Sequence, residues 1–284
     1  MGISTGASPG ISVTNIHRGD HVRRLIGLLA MPILLLALTG PALGISYGQI
    51  DANNKYSNVG ALMAEIDGNL YIYCTGTLIS PTVFLTASHC LDFDGQTMYV
   101  SFDLTIPENA DGSVDTSKLR TFYEGTAQIH PLYASGGAND TYDIAVVVLD
   151  KAVRGITPAK LPTLNYLSTL TAQRLKSTTF VAAGYGTVRD TKQGAFQPLY
   201  WDPTRRFATQ TANSLTGAWL TLSMNQATGD GGTCYGDSGG PHFIGDTVVS
   251  ITVTGDRWCK ASDKTYRVDT QVARDFLDDF VTLP

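Results

Sequence analysis

Short apolar runs, each bounded by turn-forming residues, recur along most of the chain and limit the folds that it can adopt. Runs of this kind, rich in Val, Ile, Thr and aromatic side chains, are typical of β-strands. The Gly, Pro, Asn and Asp residues between them favour turns. Clear examples are residues 70–73, 83–86, 98–102, 144–149, 179–183, 219–224 and 247–253. The pattern therefore predicts a structure built from many short strands.

Helical spacing is confined to the end of the chain, where apolar residues recur every fourth position at Val268, Val272, Phe276 and Phe280. The chain has 29 Gly among its 284 residues, and only 16% of its residues are charged. An average globular protein has about 25% charged residues, so this composition argues against both disorder and a coiled coil. The predicted fold class is all-β with a C-terminal α-helix, and no repeat or linker divides residues 45–284.

The net charge of −5 gives no support for a broad basic surface, so nucleic acid is not expected as a partner. The charge is unevenly placed along the chain. Residues 1–44 contain three arginines and one aspartate, and the other 240 residues therefore carry a net charge of −7. This asymmetry indicates that the N-terminal segment has a function of its own.

The N-terminal segment has the pattern of a secretory signal peptide. Arg23 and Arg24 precede an uncharged apolar run over residues 25–38, and the small residues Ala42 and Gly44 follow at alternate positions. We expect cleavage after Gly44, export of residues 45–284 and no stable membrane association. An uncleaved membrane anchor is the alternative, but Pro32 and the Gly/Pro-broken stretch after residue 38 disfavour a spanning helix of about 20 residues.

Export changes the interpretation of the four cysteines, which are Cys74, Cys90, Cys234 and Cys259. Outside the cytosol an even number of cysteines indicates disulfides, and four cysteines allow three pairings. Zinc is not expected, because the chain has no Cys-x-x-Cys pair and no clustered Cys/His set. We expect neither a metal nor a cofactor.

The motif with the clearest chemical meaning is Gly-Asp-Ser-Gly-Gly-Pro at residues 236–241. Glycines on both sides of Ser238 allow a tight turn and let a substrate carbonyl approach the serine oxygen. Such a turn can direct consecutive backbone N–H groups at one point, which forms an oxyanion hole. Taken alone, the motif is also compatible with an ordinary glycine-rich β-turn.

A nucleophilic serine needs a base, which is normally a histidine oriented by a carboxylate. Beyond the signal peptide the chain has three histidines. His242 is too close to Ser238 in sequence to fold back on it, and His130 precedes a proline where a packing role is expected. His89 directly follows a predicted strand and precedes Cys90, so it is the candidate base.

Thr-Ala-Ser-His-Cys at residues 86–90 together with residues 236–241 resembles the two signature segments of trypsin-like (chymotrypsin-fold) serine proteases. The resemblance predicts a third segment between them, an Asp that begins a buried strand. Asp143, followed by Ile-Ala-Val-Val-Val, fits this description. The chain order His, Asp, Ser is also that of the chymotrypsin group, whereas lipases and esterases place Ser before His.

The resemblance implies a fold of two six-stranded antiparallel β-barrels with the active site in the cleft between them. It assigns the catalytic roles to Ser238 as nucleophile, His89 as general base and acid, and Asp143 as the residue that orients His89. The backbone N–H groups of Gly236 and Ser238 would form the oxyanion hole. It also implies two disulfides, Cys74–Cys90 beside the histidine and Cys234–Cys259 around the substrate pocket.

The predicted substrate pocket contains Gly232, Thr233, Ser250 and Thr252, with Ser250 touching Asp143. Gly232 occupies the position of the pocket floor and brings no charge, so cleavage after Arg or Lys is predicted to be disfavoured. Thr252 and residues 260–264 would narrow the pocket and favour a small or medium apolar residue.

The N-terminus departs from the family pattern, because Ile-Val-Gly-Gly is absent and residues 47–51 are taken as the corresponding stretch. In the family, the freed amine at this point pairs with the acid before the nucleophile, here Asp237. Since an unpaired buried carboxylate is costly, Asp237 requires some partner. The working hypothesis is activity without propeptide cleavage.

The expected function is a secreted, extracellular and monomeric serine endopeptidase that acts on protein or peptide substrates. The alternative is a secreted protease homologue that has lost catalysis and serves as a binding module.

Overall fold

The computed structural model describes residues 45–134, 136–189 and 199–284, which all belong to one compact unit. The predicted signal peptide, residues 1–44, lies outside the described residues. No helix within the described ranges is long and apolar enough to cross a membrane.

Strands account for most of the regular structure in the described part of the chain. In chain order they are β1 Gln49–Ile50, β2 Val59–Ile66, β3 Asn69–Ser80, β4 Val83–Thr86, β5 Thr97–Ser101, β6 Tyr123–Ile129, β7 Ala145–Leu149, β8 Phe180–Gly184, β9 Arg206–Gln210, β10 Ala212–Leu215, β11 Trp219–Ser223, β12 Pro241–Ile244, β13 Thr247–Gly255 and β14 Ser262–Arg267. The α-helices are α1 Ala172–Ser177 and α2 Gln271–Leu277. Short 3₁₀ turns span Ser88–Cys90, Thr116–Lys118, Gly137–Asn139, Tyr166–Thr169 and Gln226–Thr228.

The first half of the fold is a closed antiparallel barrel with the strand order β2-β3-β4-β7-β6-β5. Strand β4 shows why the chain folds this way, because all four of its residues are buried and it pairs with β3 on one side and β7 on the other. A strand buried on both faces needs a continuous apolar run, which residues 83–86 provide. Thr86 at the end of β4 lies opposite Ala145 at the start of β7. Residues just beyond these two ends therefore emerge close together.

The second half is an eight-stranded sheet with the order β1-β9-β8-β12-β13-β14-β11-β10. Its edge strands β1 and β10 do not pair, so this sheet is open. The expectation of two closed six-stranded barrels therefore holds for the first half only. The difference arises because the N-terminal strand β1 adds to β9 and extends the sheet at that edge.

The C-terminal helix is present but shorter than its apolar spacing suggests, since α2 spans Gln271–Leu277. It begins at Thr270, whose side-chain oxygen accepts a hydrogen bond from the backbone N–H of Ala273 at 3.2 Å. This bond satisfies one of the free donors of the first helical turn. The backbone N–H groups of Phe280 and Val281 both bond to the carbonyl of Leu277, which closes the helix in a turn.

Arg205 connects the two halves of the fold from a completely buried position. Its Nε donates to Asp51 Oδ2 at 3.0 Å, and its Nη1 donates to the carbonyl oxygens of Val59 and Phe102 in the barrel. The same nitrogen donates to the hydroxyl of Tyr185 at 2.9 Å. This network fixes the barrel against the sheet at one charged side chain.

Replacement of Arg205 by Met is expected to destabilise the protein by about 3–5 kcal/mol, because it leaves the buried Asp51 carboxylate without its cation. Urea unfolding followed by circular dichroism measures this cost. The double variant Arg205→Met/Asp51→Asn removes the unpaired charge and should recover part of the loss. A cost below about 1 kcal/mol for the single variant would show that the pair does not hold the two halves together.

Candidate active site

His89 and Asp143 lie where the ends of β4 and β7 bring them together. His89 Nδ1 is 2.8 Å from Asp143 Oδ2, and the backbone N–H of His89 donates to Asp143 Oδ1 at 3.0 Å. The side chain of Asp143 is 1% exposed, whereas that of His89 is 30% exposed. A buried carboxylate therefore fixes one ring nitrogen, and the other edge of the imidazole can face a substrate.

The segment that carries His89 is fixed on both sides. The structure joins Cys90 to Cys74 of β3 by a disulfide, which is the pairing that the family resemblance implied. On the other side, Ser88 Oγ donates to the carbonyl of Ile144 at 2.7 Å, beside Asp143. These bonds tie the imidazole to the same barrel end as its carboxylate.

Ser238 lies in a tight turn at the edge of the second sheet, directly before β12. The backbone φ angles of Gly236 and Gly239 are +95° and +75°. Residues other than glycine rarely adopt positive φ angles, because their Cβ atom clashes with the backbone. Gly239 also packs so closely that a Cβ there would collide with Thr86 Oγ1 at the end of β4. The glycines are thus needed both for the turn and for its close approach to the barrel.

Hydrogen bonds to Thr75 of β3 hold the serine turn against the barrel. The backbone N–H of Thr75 donates to the carbonyl of Ser238 at 2.9 Å, and Thr75 Oγ1 donates to the carbonyl of Gly236 at 3.0 Å. Thr75 is next to Cys74, whose disulfide partner follows His89. The structure therefore brings the three predicted catalytic residues to one place.

The turn leaves the two predicted oxyanion donors free. In the described ranges, neither the backbone N–H of Gly236 nor that of Ser238 has a hydrogen-bond acceptor, whereas the N–H of Asp237 bonds to the carbonyl of Cys234. Likewise, no hydrogen bond joins Ser238 Oγ to His89 Nε2 among these residues. In free serine hydrolases this bond is often long, and it tightens when substrate binds.

Asp237 is fully buried beneath the turn and has only neutral donors in the described structure. Gly186 N–H donates to Oδ1 at 2.8 Å and Cys234 N–H donates to Oδ2 at 2.9 Å. Burial raises the pKa of this carboxyl group to about 7, despite these two hydrogen bonds. The site therefore lacks one positive charge that would make an ionised Asp237 stable.

The N-terminal segment reaches this region two residues earlier than the sequence comparison with the family indicated. Ile45 is 1% exposed and packs against Ala182 and Ala208. Ser46 forms a β-bridge with Gly232, and the N–H of Gly232 donates to the carbonyl of Ser46 at 2.9 Å. The apolar side chain enclosed at this site is that of Ile45, which precedes residues 47–51 in the chain.

A cavity of about 230 Å³ opens beside Ser238. Its lining residues are Thr233, Cys234, Tyr235, Ser238, Thr252, Val253, Thr254, Gly255, Asp256 and Cys259. The Cys234–Cys259 disulfide links two of these lining residues across the cavity wall. Of the predicted pocket residues, Thr233 and Thr252 line this cavity, whereas Gly232 is not among the lining residues.

Ser250 does not line the pocket, contrary to the prediction. It is fully buried, and its Oγ accepts a hydrogen bond from Thr265 Oγ1 at 2.9 Å. The cause is the path of β13, which follows a short hairpin from β12 and bulges between Thr252 and Thr254. Residues 253–255 reach the pocket wall instead.

The other two histidines have structural positions. His242 is fully buried, with Nε2 3.0 Å from Thr252 Oγ1, and burial lowers its pKa to about 3. His130 packs against the rings of Tyr142 and Phe276. Neither is placed to act on Ser238.

The sequence analysis missed two residues at the edges of the site. Trp201 has a ring carbon 3.3 Å from where a Cβ on Gly236 would lie, and its Nε1 donates to Glu108 at 2.8 Å. Asp263 of β14 lies against Gly232 under the pocket. An isolated Trp or Asp carries no local motif, so only the tertiary structure identifies these contacts.

Among the described residues, the one group of three candidate metal ligands is Cys74, His89 and Cys90. Cys74 and Cys90 are joined to each other in a disulfide, so neither offers a thiolate to a metal.

The solved structures to which this fold is similar include a mutant of human heparin binding protein, with a TM-score of 0.60 and 18% identity over 83% of this chain and 96% of that one. HL collagenase has a TM-score of 0.61 and 15% identity over 84% of this chain and all of its own. At such low identity these matches show the fold alone.

Sequence comparisons extend the similarity to enzymes. Chymotrypsin-like elastase family member 1 of Homo sapiens is 28% identical over 229 residues, which cover 78% of this chain and 84% of the relative. The Bos taurus protein of the same name is 28% identical over 68% of this chain and 71% of its own length. A venom serine protease of Polistes dominula is 29% identical over 66% of this chain and 65% of its own. A sequence model of the family described as Trypsin matches residues 50–278, and the chain therefore belongs to the trypsin family and is a serine-type endopeptidase.

Proposed function

We propose that this protein is an exported endopeptidase that cleaves protein or peptide substrates through Ser238, His89 and Asp143. The observation that carries the proposal is the contact between His89 Nδ1 and the buried Asp143, at the barrel end to which Thr75 binds the Ser238 turn. Family membership supports the reaction class, and this geometry supports the assignment of roles.

In the first step, Ser238 Oγ attacks the scissile carbonyl while His89 Nε2 takes the serine proton. Asp143 accepts the Nδ1 proton, which fixes the tautomer and stabilises the imidazolium that forms. His89 then gives its proton to the leaving amine, and an acyl-enzyme remains on Ser238. Water attacks this ester in the second half of the reaction, again with His89 as base.

The tetrahedral intermediates carry a negative oxygen that needs hydrogen-bond donors. The free backbone N–H groups of Gly236 and Ser238 are the proposed donors, and the positive φ of Gly236 directs them. One such donor is worth roughly 3–4 kcal/mol of activation free energy.

Export and activation are proposed to occur in one cut. Signal peptide cleavage after Gly44 would free the α-amino group of Ile45, whose side chain is buried. That amine would supply the positive charge that the fully buried Asp237 lacks. The proposal agrees with the hypothesis of activity without a separate propeptide and with the predicted cut after Gly44, and it assigns the role of the freed amine to Ile45 rather than to residues 47–51.

The sequence-based expectation of poor cleavage after Arg and Lys stays a prediction. It rests on Gly232, which brings no charge of its own, and the carboxyl group of Asp263 that lies against Gly232 is completely buried and bonded to Thr233 and Gln210. The alternative of a non-catalytic binding module is not favoured, because the relatives are serine proteases and the chain retains His89, Asp143, Ser238 and the glycines beside Ser238.

The test is hydrolysis of a fluorescently labelled unfolded protein by purified residues 45–284. Ser238→Ala is expected to abolish hydrolysis, while the same substitution at the exposed Ser117 should leave the rate unchanged. A wild-type protein without activity, or a Ser238→Ala variant with full activity, would contradict the proposal.

A further inference from the structure

A groove of about 340 Å³ lies between the C-terminal helix α2 and the loop that joins β6 to β7. We call it the α2 groove. Its loop side consists of His130, Pro131, Leu132 and Tyr142. Tyr142 directly precedes Asp143, so the same loop carries one of the proposed catalytic residues. The groove is separate from the cavity beside Ser238, because the two have no lining residue in common.

The walls of the α2 groove are aromatic, and its rim is apolar and exposed. The ring of His130 packs against those of Tyr142 and Phe276, with centroids 4.8 and 5.3 Å away. On the rim, the side chains of Leu132 and Val272 are 59% and 37% exposed. Val272 belongs to the apolar spacing that predicted α2, yet it faces the groove rather than the core. Exposed apolar side chains around a preformed concave site favour a binding function.

Two exposed acids, Asp275 and Asp279, line the helix side of the groove. Within the described ranges, neither forms an ion pair with Lys or Arg. Asp275 Oδ1 accepts a hydrogen bond from Gln271 Nε2 at 2.5 Å, which brings no charge. Arg274, the basic residue of this helical turn, donates to the carbonyl oxygens of two prolines instead. The groove therefore has negative charge at its edge that no cation of the described structure balances.

The position of these acids is unfavourable for the helix itself. Asp275 lies in the last turn of α2, and Asp279 lies two residues beyond its end at Leu277. The helix dipole favours cations at a C-terminal end and disfavours acids there. A cation bound in the groove would offset this cost.

The loop side of the groove contributes further negative charge. Asp140 is buried, and its oxygens accept hydrogen bonds from the backbone N–H groups of Ala134, Gly136 and Tyr142. Residues 45–284 as a whole carry a net charge of −7. A field of this sign attracts cationic partners and repels acidic ones.

The side chain of Arg or Lys matches both properties of the groove. Its aliphatic stem can lie against Leu132 and Val272 while its charged end reaches the exposed acids. The aromatic walls add a cation–π attraction, which is strongest for a guanidinium that stacks on a ring. A neutral or acidic segment would leave Asp275 and Asp279 unbalanced.

Resting on the proposed protease function, we propose that the α2 groove binds a basic segment of the protein substrate away from the scissile bond. The occupant is a stretch of polypeptide that carries Arg or Lys among apolar residues. The substrate is the favoured partner because Tyr142 of the groove and Asp143 of the active site are adjacent, with Cα atoms about 3.8 Å apart. A second contact on one substrate chain raises its effective concentration at the active site, so it lowers KM without changing kcat.

Fluorescence anisotropy tests the binding step without turnover when the Ser238→Ala protein is used. The probe is a dye-labelled peptide of alternating Arg and Leu residues, and its neutral counterpart has citrulline in place of Arg. The Arg peptide is expected to bind about 10-fold more tightly. Asp275→Asn/Asp279→Asn should abolish this preference. The matched control is Asp278→Asn, which removes an exposed acid from the same helix end that does not line the groove, and it should retain the preference.

Kinetics on two substrates give the second readout. One substrate is an unfolded protein rich in Lys and Arg, and the other is a short peptide amide that covers only the residues around the cut. The ratio of kcat/KM for the protein to that for the peptide is expected to fall about 10-fold in Asp275→Asn/Asp279→Asn, through a higher KM for the protein. Asp278→Asn should leave the ratio unchanged. All three acids are exposed, and circular dichroism should show folded variants.

The possible results separate this inference from the proposed function. Equal binding of the Arg and citrulline peptides, or a preference that Asp275→Asn/Asp279→Asn retains, would overturn the groove and leave the protease function intact. Arg-selective binding that these substitutions abolish, together with no hydrolysis by the wild-type protein, would support the groove and contradict the proposed function. Self-association in sedimentation velocity that the same substitutions abolish, without peptide binding, would assign the groove to a second copy of the chain and overturn the substrate role.

Discussion

Asp143→Asn is expected to lower kcat by about 10⁴-fold with little change in KM. The carboxylate of Asp143 accepts both the backbone N–H and the ring Nδ1–H of His89. An amide can accept only one of these bonds with its oxygen, and its NH₂ group would face the other donor or select the wrong imidazole tautomer. Steady-state kinetics on a peptide amide measures the loss.

The control for this substitution is Asp150→Asn, which makes the same change at an exposed position just beyond the other end of β7. It should retain wild-type kcat. Circular dichroism and the unfolding midpoint should show that Asp143→Asn is folded. A loss below about 10-fold in the folded variant would mean that Asp143 does not orient the base.

Retention of Gly44 at the N-terminus is expected to lower kcat/KM by roughly 10²–10³-fold relative to a chain that begins at Ile45. One extra residue moves the amine by up to about 3.8 Å from the position that the buried Ile45 side chain would fix for it. Asp237 would then be a buried carboxylate without a cation, which costs about 3–5 kcal/mol. Matched tag-cleavage products that begin at Gly44 and at Ile45 allow the comparison, and mass spectrometry of the exported protein should show Ile45 as its first residue.

The same pair of proteins should differ in the pH dependence of stability. Without the amine, the pKa of Asp237 is raised from 3.8 to about 7, so the folded state retains a proton that the unfolded state releases. Stability of the Gly44 form should therefore decrease as the pH rises from about 4 to 7, by about 4 kcal/mol relative to the Ile45 form. The contribution of Asp263 is common to both forms and cancels.

Asp237→Asn serves as the control for this experiment, because it removes the charge and should abolish the difference between the two N-termini. Acetylation of the Ile45 amine removes its charge and adds a group equivalent to a glycine residue without its amine, so it should reproduce the defect of the Gly44 form. Equal activity of the two forms would contradict the role assigned to the Ile45 amine.

Local sequence was sufficient to propose the catalytic residues, because each of them lies in a short, recognisable segment. His89 and Ser238 lie within short motifs, and Asp143 was found because a buried strand directly follows it. His89 and Asp143 come together because the ends of β4 and β7 meet at one edge of the barrel, and Thr75 of β3 binds the Ser238 turn of the second sheet to the same region. The buried strands of the barrel were likewise visible as continuous apolar runs, of which β4 is an example.

Features that depend on strand register could not be predicted in this way. Ser250 was placed at the pocket because residues 249–250 resemble the family strand that lines it, whereas residues 252–255 of β13 line the cavity in the structure. The carboxyl group that lies against Gly232 belongs to Asp263, which is 31 positions further along the chain and is not part of a recognisable motif. The second sheet was expected to close into a barrel. Its additional edge strand β1 has two residues, which are too few to show a strand pattern in the sequence.

Reaction with a fluorophosphonate probe tests the central claim most directly, because it reports whether one serine is activated by its surroundings. The account predicts that the wild-type protein beginning at Ile45 is labelled with a single adduct, that peptide mapping places the adduct on Ser238, and that Ser238→Ala and His89→Ala are not labelled. A folded wild-type protein that remains unlabelled, or an adduct on any other residue, would contradict it.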